Sequence, residues 1–125
     1  MNILVDSSVW IDYFRGRENE RRLDELISED LVCVNDLILA ELVPFLRVRK
    51  QDELIRLLRN VYKVNLTIDW QLIMEYQTLC LRAGINKVGI PDLIVLQNCI
   101  QNDLHLFTLD SHFHLMSRFV LLKLW

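Results

Sequence analysis

The chain has 125 residues, 52% of them hydrophobic and 25% charged, with only 3 Gly and 2 Pro, a composition that excludes disordered, collagen-like and linker-rich chains. Asp and Glu number 17 against 14 Lys and Arg, a formal net charge of −3, so nonspecific adhesion to nucleic acid or anionic membrane is not the default and any nucleic-acid contact must be local. This length supports a single core that buries about two-thirds of the unfolded surface, and one domain over residues 1–125 is expected.

In chain order, the run Asn2-Ile3-Leu4-Val5 is apolar and stops at Asp6-Ser7-Ser8, which reads as a buried strand entering a helix. Residues 8–14 carry Val9, Trp10, Tyr13 and Phe14 at helical spacing, with Arg15-Gly16-Arg17 as the stop. A second helix is expected over Glu18 to Ser28, with Leu23, Leu26 and Ile27 on its packed face. Leu31 to Val34 reads as a second buried strand, Asn35 as a cap, and Leu37 to Leu46 as a helix kinked or broken at Pro44. A further helix spans about Gln51 to Asn60, and Tyr62 to Leu66 alternates like a strand near a sheet edge.

Residues 69–83 place Trp70, Ile73, Tyr76, Gln77 and Cys80 on one helical stripe closed by Gly84. After a loop to Ile90, Pro91 suits the first turn of a helix reaching about Asn102. Leu104 to Thr108 is the next strand, Ser111 to Ser117 a short helix, and Phe119 to Leu122 a last strand. Short apolar strands alternating with helices predict an α/β fold with a mostly parallel sheet.

Cys33, Cys80 and Cys99 are widely spaced and sit in apolar stretches, which suits core thiols in a reducing compartment. The start MNILVD lacks the basic, long-apolar character of a secretory signal, and no uncharged apolar run approaches the ~18 residues of a membrane span. Cytoplasmic residence without membrane association is the expectation.

Four carboxylates stand where chemistry gathers. Asp6 follows the first buried strand, at the carboxyl end where open α/β sheets bind ligands, although it, Ser7 or Ser8 would equally serve as a helix cap. Glu41 is the only charge between Leu37 and Leu46, which predicts a buried functional carboxylate; the alternative is a side chain pointing outward or paired with Arg47 or Arg49. Asp92 follows Pro91, where capping is the plain role, but the run Leu93-Ile94-Val95-Leu96 implies a buried helix whose start meets the sheet. Asp110 lies two residues beyond Thr108, again at a strand's carboxyl end and again a candidate cap.

Clustered carboxylates stay ionised together only beside a cation, and an all-oxygen set favours Mg²⁺ or Mn²⁺, a combination that binds phosphates and activates water. Competing motifs are poor: there is no Gly-rich phosphate loop, Ser7 and Ser8 lack a nucleophile elbow, and His112 and His114 read as surface residues of a short helix.

The motifs LVDSSVWID (Leu4–Asp12), LAEL (Leu39–Leu42), IPDLIV (Ile90–Val95) and FTLDSHF (Phe107–Phe113) resemble those of PIN-domain ribonucleases, in family order, and the opening DSSVWID resembles VapC-type toxins. That resemblance covers Asn2 to Trp125 and implies a three-layer fold around a five-stranded, mostly parallel sheet. It implies Asp6, Glu41, Asp92 and Asp110 as the catalytic, Mg²⁺- or Mn²⁺-binding set, with Thr108 and Ser7 supporting. It further implies endoribonuclease action on single-stranded or loop RNA, a silencing antitoxin of the VapB kind, and a homodimer. The chain departs from the family at Leu96-Gln97-Asn98-Cys99, where small alanines are usual, so local helix packing is expected to differ.

Two other readings compete: a noncatalytic PIN-like module kept for protein contact, and a phosphoacceptor or phosphatase domain using Asp6 as nucleophile. Ser8 stands where the latter would carry a second aspartate. Candidate RNA-gripping patches are Arg15, Arg17, Arg21 and Arg22, or Arg47, Arg49 and Lys50.

Overall fold

A computed structural model describes residues 2–16 and 20–125. Among these, β1 (Ile3–Val5), β2 (Val32–Val34), β3 (Tyr62–Lys63), β4 (His105–Phe107) and β5 (Lys123–Leu124) form one sheet in the order β3-β2-β1-β4-β5. Every pairing is parallel. Parallel strands need crossovers, and the helices supply them: α1 (Ser7–Phe14), α2 (Glu20–Ser28), α3 (Asp36–Val48), α4 (Asp52–Asn60), α5 (Trp70–Arg82), α6 (Ile90–Gln101) and α7 (Ser111–Met116). No helix among the described residues is long and apolar enough to cross a membrane.

The sheet centre is dry. Ile3, Leu4 and Val5 of β1 are fully buried, as are Cys33 of β2 and Leu106 of β4, because a central strand covered on both faces has no solvent side to alternate toward. Helix α6 is buried along Leu93 to Cys99, including the amides of Gln97 and Asn98, so it is the innermost helix. Parallel order delivers the carboxyl ends of β1, β2 and β4 to one edge, where α1, α3 and α7 begin.

Several boundaries differ from expectation. Helix α3 continues through Pro44 to Val48 instead of breaking; the carbonyl that loses its partner is that of Ala40, which lies on the exposed face where water can replace the bond. The strand expected over 62–66 shortens to Tyr62–Lys63 at the sheet edge, with one more bond from the Val64 N–H to the Val34 carbonyl. Trp70, expected on the packed stripe of α5, is 55% exposed, whereas Ile73, Tyr76 and Cys80 are buried as expected. The last strand is Lys123–Leu124 and not Phe119 to Leu122. The Val120 N–H still bonds the Met116 carbonyl and the Leu122 N–H bonds the Val120 carbonyl, so the chain is turning there, and Leu121 is 90% exposed. The start of the expected second helix, at Glu18, lies outside the described residues; α2 is seen from Glu20.

The three cysteines are free and buried. Burial pushes the Cys33 thiol up to about 12 and raises that of Cys99 as well, which leaves them inert packing groups.

Candidate functional site

The carboxyl edge of β1 and β4 builds the site. The Asp6 N–H bonds the Phe107 carbonyl at 2.9 Å, so the last backbone link between these strands fixes the residue at its base. Asp6 occupies the cap position of α1 in extended geometry, yet its carboxylate makes no capping bond. It accepts instead from two hydroxyls, Ser8 Oγ and Thr108 Oγ1, both at 2.9 Å and both on Oδ2. Each hydroxyl also accepts a backbone N–H, from Leu109 at 3.1 Å and Asp110 at 3.0 Å. The α1 start and the β4–α7 turn are thereby stitched together through one buried carboxylate, 7% exposed. Ser8, and not Ser7, makes this contact: Ser8 donates across the first helical turn, and Ser7 has no side-chain hydrogen bond among the described residues.

Asp110 caps α7, accepting the His112 N–H at 2.9 Å, and its Oδ1 also meets the His112 ring at 3.0 Å. Asp92, in the first turn of α6, reaches back to the Gly89 N–H at 3.3 Å. Both residues therefore do serve their helix starts, while being half-buried beside the other acids. Desolvation raises the Asp92 pKa most; the Gly89 N–H opposes it, the charges of Asp110 and Asp6 raise it further, and His112 lowers it.

Glu41 corrects an expectation, for it is exposed and not buried. Residues 40, 41, 44, 45 and 48 share the open side of α3, and apolar neighbours on that side disguise it in the sequence. Its carboxyl is nonetheless partly desolvated, which raises its pKa, and Asp6 and Asp92 raise it further. Glu41 thus stands within electrostatic reach of Asp6 and Asp92, and Asp92 within reach of Asp6 and Asp110.

Among the described residues, no three His, Cys, Asp or Glu side chains are gathered closely enough to enclose a metal ion as they stand. The donor set itself suits a hard divalent cation: it is all oxygen, Asp6 offers Oδ1 free of protein donors among the described residues, and the Glu41 and Asp92 pKa values are raised by desolvation foremost, with neighbouring carboxylates adding to it. Outside the cluster, Arg15, Arg21 and Arg22 are exposed, and Arg22 lies over Phe107 and Trp125 at 5.2 and 4.7 Å. Arg49 covers Phe45 at 4.1 Å, and Arg17 lies outside the described residues. What the sequence hides is the contact of Ser8 with Asp6, masked by its reading as a local cap, and that of Asn35 with Asn98, 63 residues away.

Comparison with known proteins places the chain. A family model described as PIN domain matches residues 3–118. Similar folds include VapBC2 from Rickettsia felis bound to a DNA fragment from their promoter, at TM-score 0.77 and 16% identity over 100% of this chain and 98% of that one. VapBC-1 from nontypeable Haemophilus influenzae gives TM-score 0.71 and 18% identity over 100% and 97%. Mycobacterium tuberculosis VapC20, described as a sarcin-ricin loop cleaving toxin, gives 0.62 and 16% over 95% and 97%. At these identities the likeness concerns the fold. No curated protein sequence matches the chain.

Proposed function

The chain belongs to the PIN-domain family, and from that premise we propose that it is a metal-dependent endoribonuclease, the VapC-type toxin of a toxin–antitoxin pair, acting on single-stranded or loop RNA. The observation that carries this reading is the set Asp6, Glu41, Asp92 and Asp110 held at the carboxyl edge of a parallel sheet with pKa values raised at Glu41 and Asp92. Desolvation together with crowded like charge at one cleft edge is the environment in which functional carboxylates are found.

Asp6, Glu41, Asp92 and Asp110 would hold Mg²⁺ or Mn²⁺. The cation supplies the positive charge that lets a phosphodiester approach four acids and makes water a stronger nucleophile. The chain's own residues prepare the place. Ser8 and Thr108 lock Asp6 by its Oδ2, the Gly89 N–H steadies Asp92, and the His112 N–H and ring fix Asp110. Preorganised groups of this kind lose little on reaction because they need no rearrangement when charge develops. Glu41 has no such tether among the described residues and reaches the cluster from an exposed helical face, which suits it to accept a proton from attacking water.

The proposed partners are an RNA substrate, an antitoxin of the VapB kind that covers the acidic edge, and a second copy of the chain. Neighbouring structures are toxin–antitoxin complexes, which supports the antitoxin assignment. The test is cleavage of total RNA by matched wild-type and Asp92→Asn preparations with Mg²⁺, Mn²⁺ or chelator. Cuts made only by the wild type, and only with metal, are expected. Equal cutting by both proteins refutes the site, and no cutting by either moves weight to a noncatalytic protein-binding module.

A further inference from the structure

Two fully buried amides link the two helices that carry Glu41 and Asp92, Asn35 as the cap of α3 and Asn98 within α6. Asn35 Nδ2 donates to Asn98 Oδ1 at 2.9 Å, across 63 residues of sequence. The amides are 0% and 1% exposed. Asn35 Oδ1 accepts the Ile38 N–H at 2.9 Å and so caps α3, while Asn98 Nδ2 donates to the Asn65 carbonyl at 3.0 Å. Each amide is therefore spoken for on both sides, and neither can slide without leaving a buried polar group unpaired.

The spacing gives this pair a consequence. Glu41 stands six residues after Asn35 on α3, and Asp92 stands six residues before Asn98 on α6, which is about 9 Å along each helix axis. The Glu41 carboxyl feels the charge of Asp92. The Asn35–Asn98 hydrogen bond ties the start of α3 to the middle of α6, and the helical segments leading to Glu41 and to Asp92 both extend from it. Apolar contacts alone tolerate small axial shifts; a directional bond between two capped and bonded amides does not.

We propose that Asn35 and Asn98 form a positioning pair that sets the spacing of Glu41 and Asp92, and through it the affinity of the acidic edge for a divalent cation. The inference rests on the reading of that edge as a cation site.

The test uses Mn²⁺ alone as probe, with its affinity measured by titration calorimetry and checked by the Mn²⁺-induced shift in Tm. Asn98→Leu removes the bond and keeps the branched shape in a larger side chain. Asn35→Ser keeps a competent helix cap but is too short to reach Asn98, so it carries the test if Asn98→Leu does not fold. Gln97→Leu is the control: Gln97 is equally buried on α6, but its amide bonds the Asp69 backbone and not α3. Wild type and Gln97→Leu are expected to bind Mn²⁺ within twofold of each other, whereas Asn98→Leu and Asn35→Ser lose at least tenfold. A merely structural amide would lower Tm in all three variants and leave Mn²⁺ affinity alone, and that result overturns the inference while the cation site stands. A wild-type protein that takes up no Mn²⁺ overturns both.

Discussion

Thr108→Val isolates the anchoring of Asp6. Valine keeps the branched shape and removes one hydroxyl, which donates to Asp6 Oδ2 at 2.9 Å and accepts the Asp110 N–H at 3.0 Å. Thr108 and Asp6 are 8% and 7% exposed, so water does not restore the first bond. A hydrogen bond to a charged group contributes about 1.5–3 kcal/mol, and a donor left unpaired costs about 1–3 kcal/mol when fully buried. The Asp110 N–H belongs to a half-buried residue and falls at the low end. A loss of about 2–4 kcal/mol follows, on the order of 10 °C in Tm for a chain of this size. Ser8→Ala removes the parallel donor at a less buried position, and about 1–2 kcal/mol is expected. Because both hydroxyls serve one oxygen, the double variant should depart from the sum of the singles by more than about 0.5 kcal/mol. Urea unfolding of the two single variants, the double variant and Thr108→Ser measures all of this, and serine should recover most of what valine loses. A Thr108→Val loss under about 0.5 kcal/mol, or serine as damaging as valine, refutes the anchoring argument.

Other consequences are open to direct measurement. The Asp92 and Glu41 pKa values are raised in the fold, so the native state binds protons more readily than the unfolded chain; stability is fullest below the ordinary carboxylate range and declines as pH rises through the raised values. Asp92→Asn should flatten that decline and be the more stable protein at neutral pH, and metal-free urea titrations showing equal or steeper loss in the variant would contradict it. Gly84 ends α5 at φ +77 with open space where a side chain would go, so Gly84→Ala should cost about 1 kcal/mol through backbone strain alone, read by chemical denaturation. With all three thiols buried, and those of Cys33 and Cys99 strongly raised, a thiol reagent at neutral pH should label the native protein far more slowly than the unfolded one; three fast-reacting native thiols would show the core to be open.

The sequence is most legible where one physical cause dominates. Continuous apolar runs at Ile3–Val5 and Val32–Val34 declare central strands because only a strand covered on both faces needs them, and Asn35 and Gly84 mark helix ends by chemistry that few other residues supply. Legibility fails where apolarity and burial part company. Phe119 to Leu122 is as apolar as a strand, but the chain there is still completing the turn off α7. Glu41 lies among leucines, yet Phe45 at 36% and Val48 at 84% exposure show that the face they share is open and apolar. An apolar surface surrounding a functional acid is a different object from a core, and single-sequence patterning gives both the same signal.

Pair identity is the second gap, and it has a topological cause. A parallel sheet sends every strand's carboxyl end to one edge, so candidate acids at strand ends can be found one at a time. What holds them is set by contacts between distant segments: Thr108 reaches Asp6 across 102 residues and Asn98 reaches Asn35 across 63. A threonine after a strand or an asparagine inside a helix has many uses, and only the fold selects among them. The acids of this edge are therefore readable by residue type and position, whereas the hydroxyls and amides that fix their geometry become visible only once the chain has closed around them.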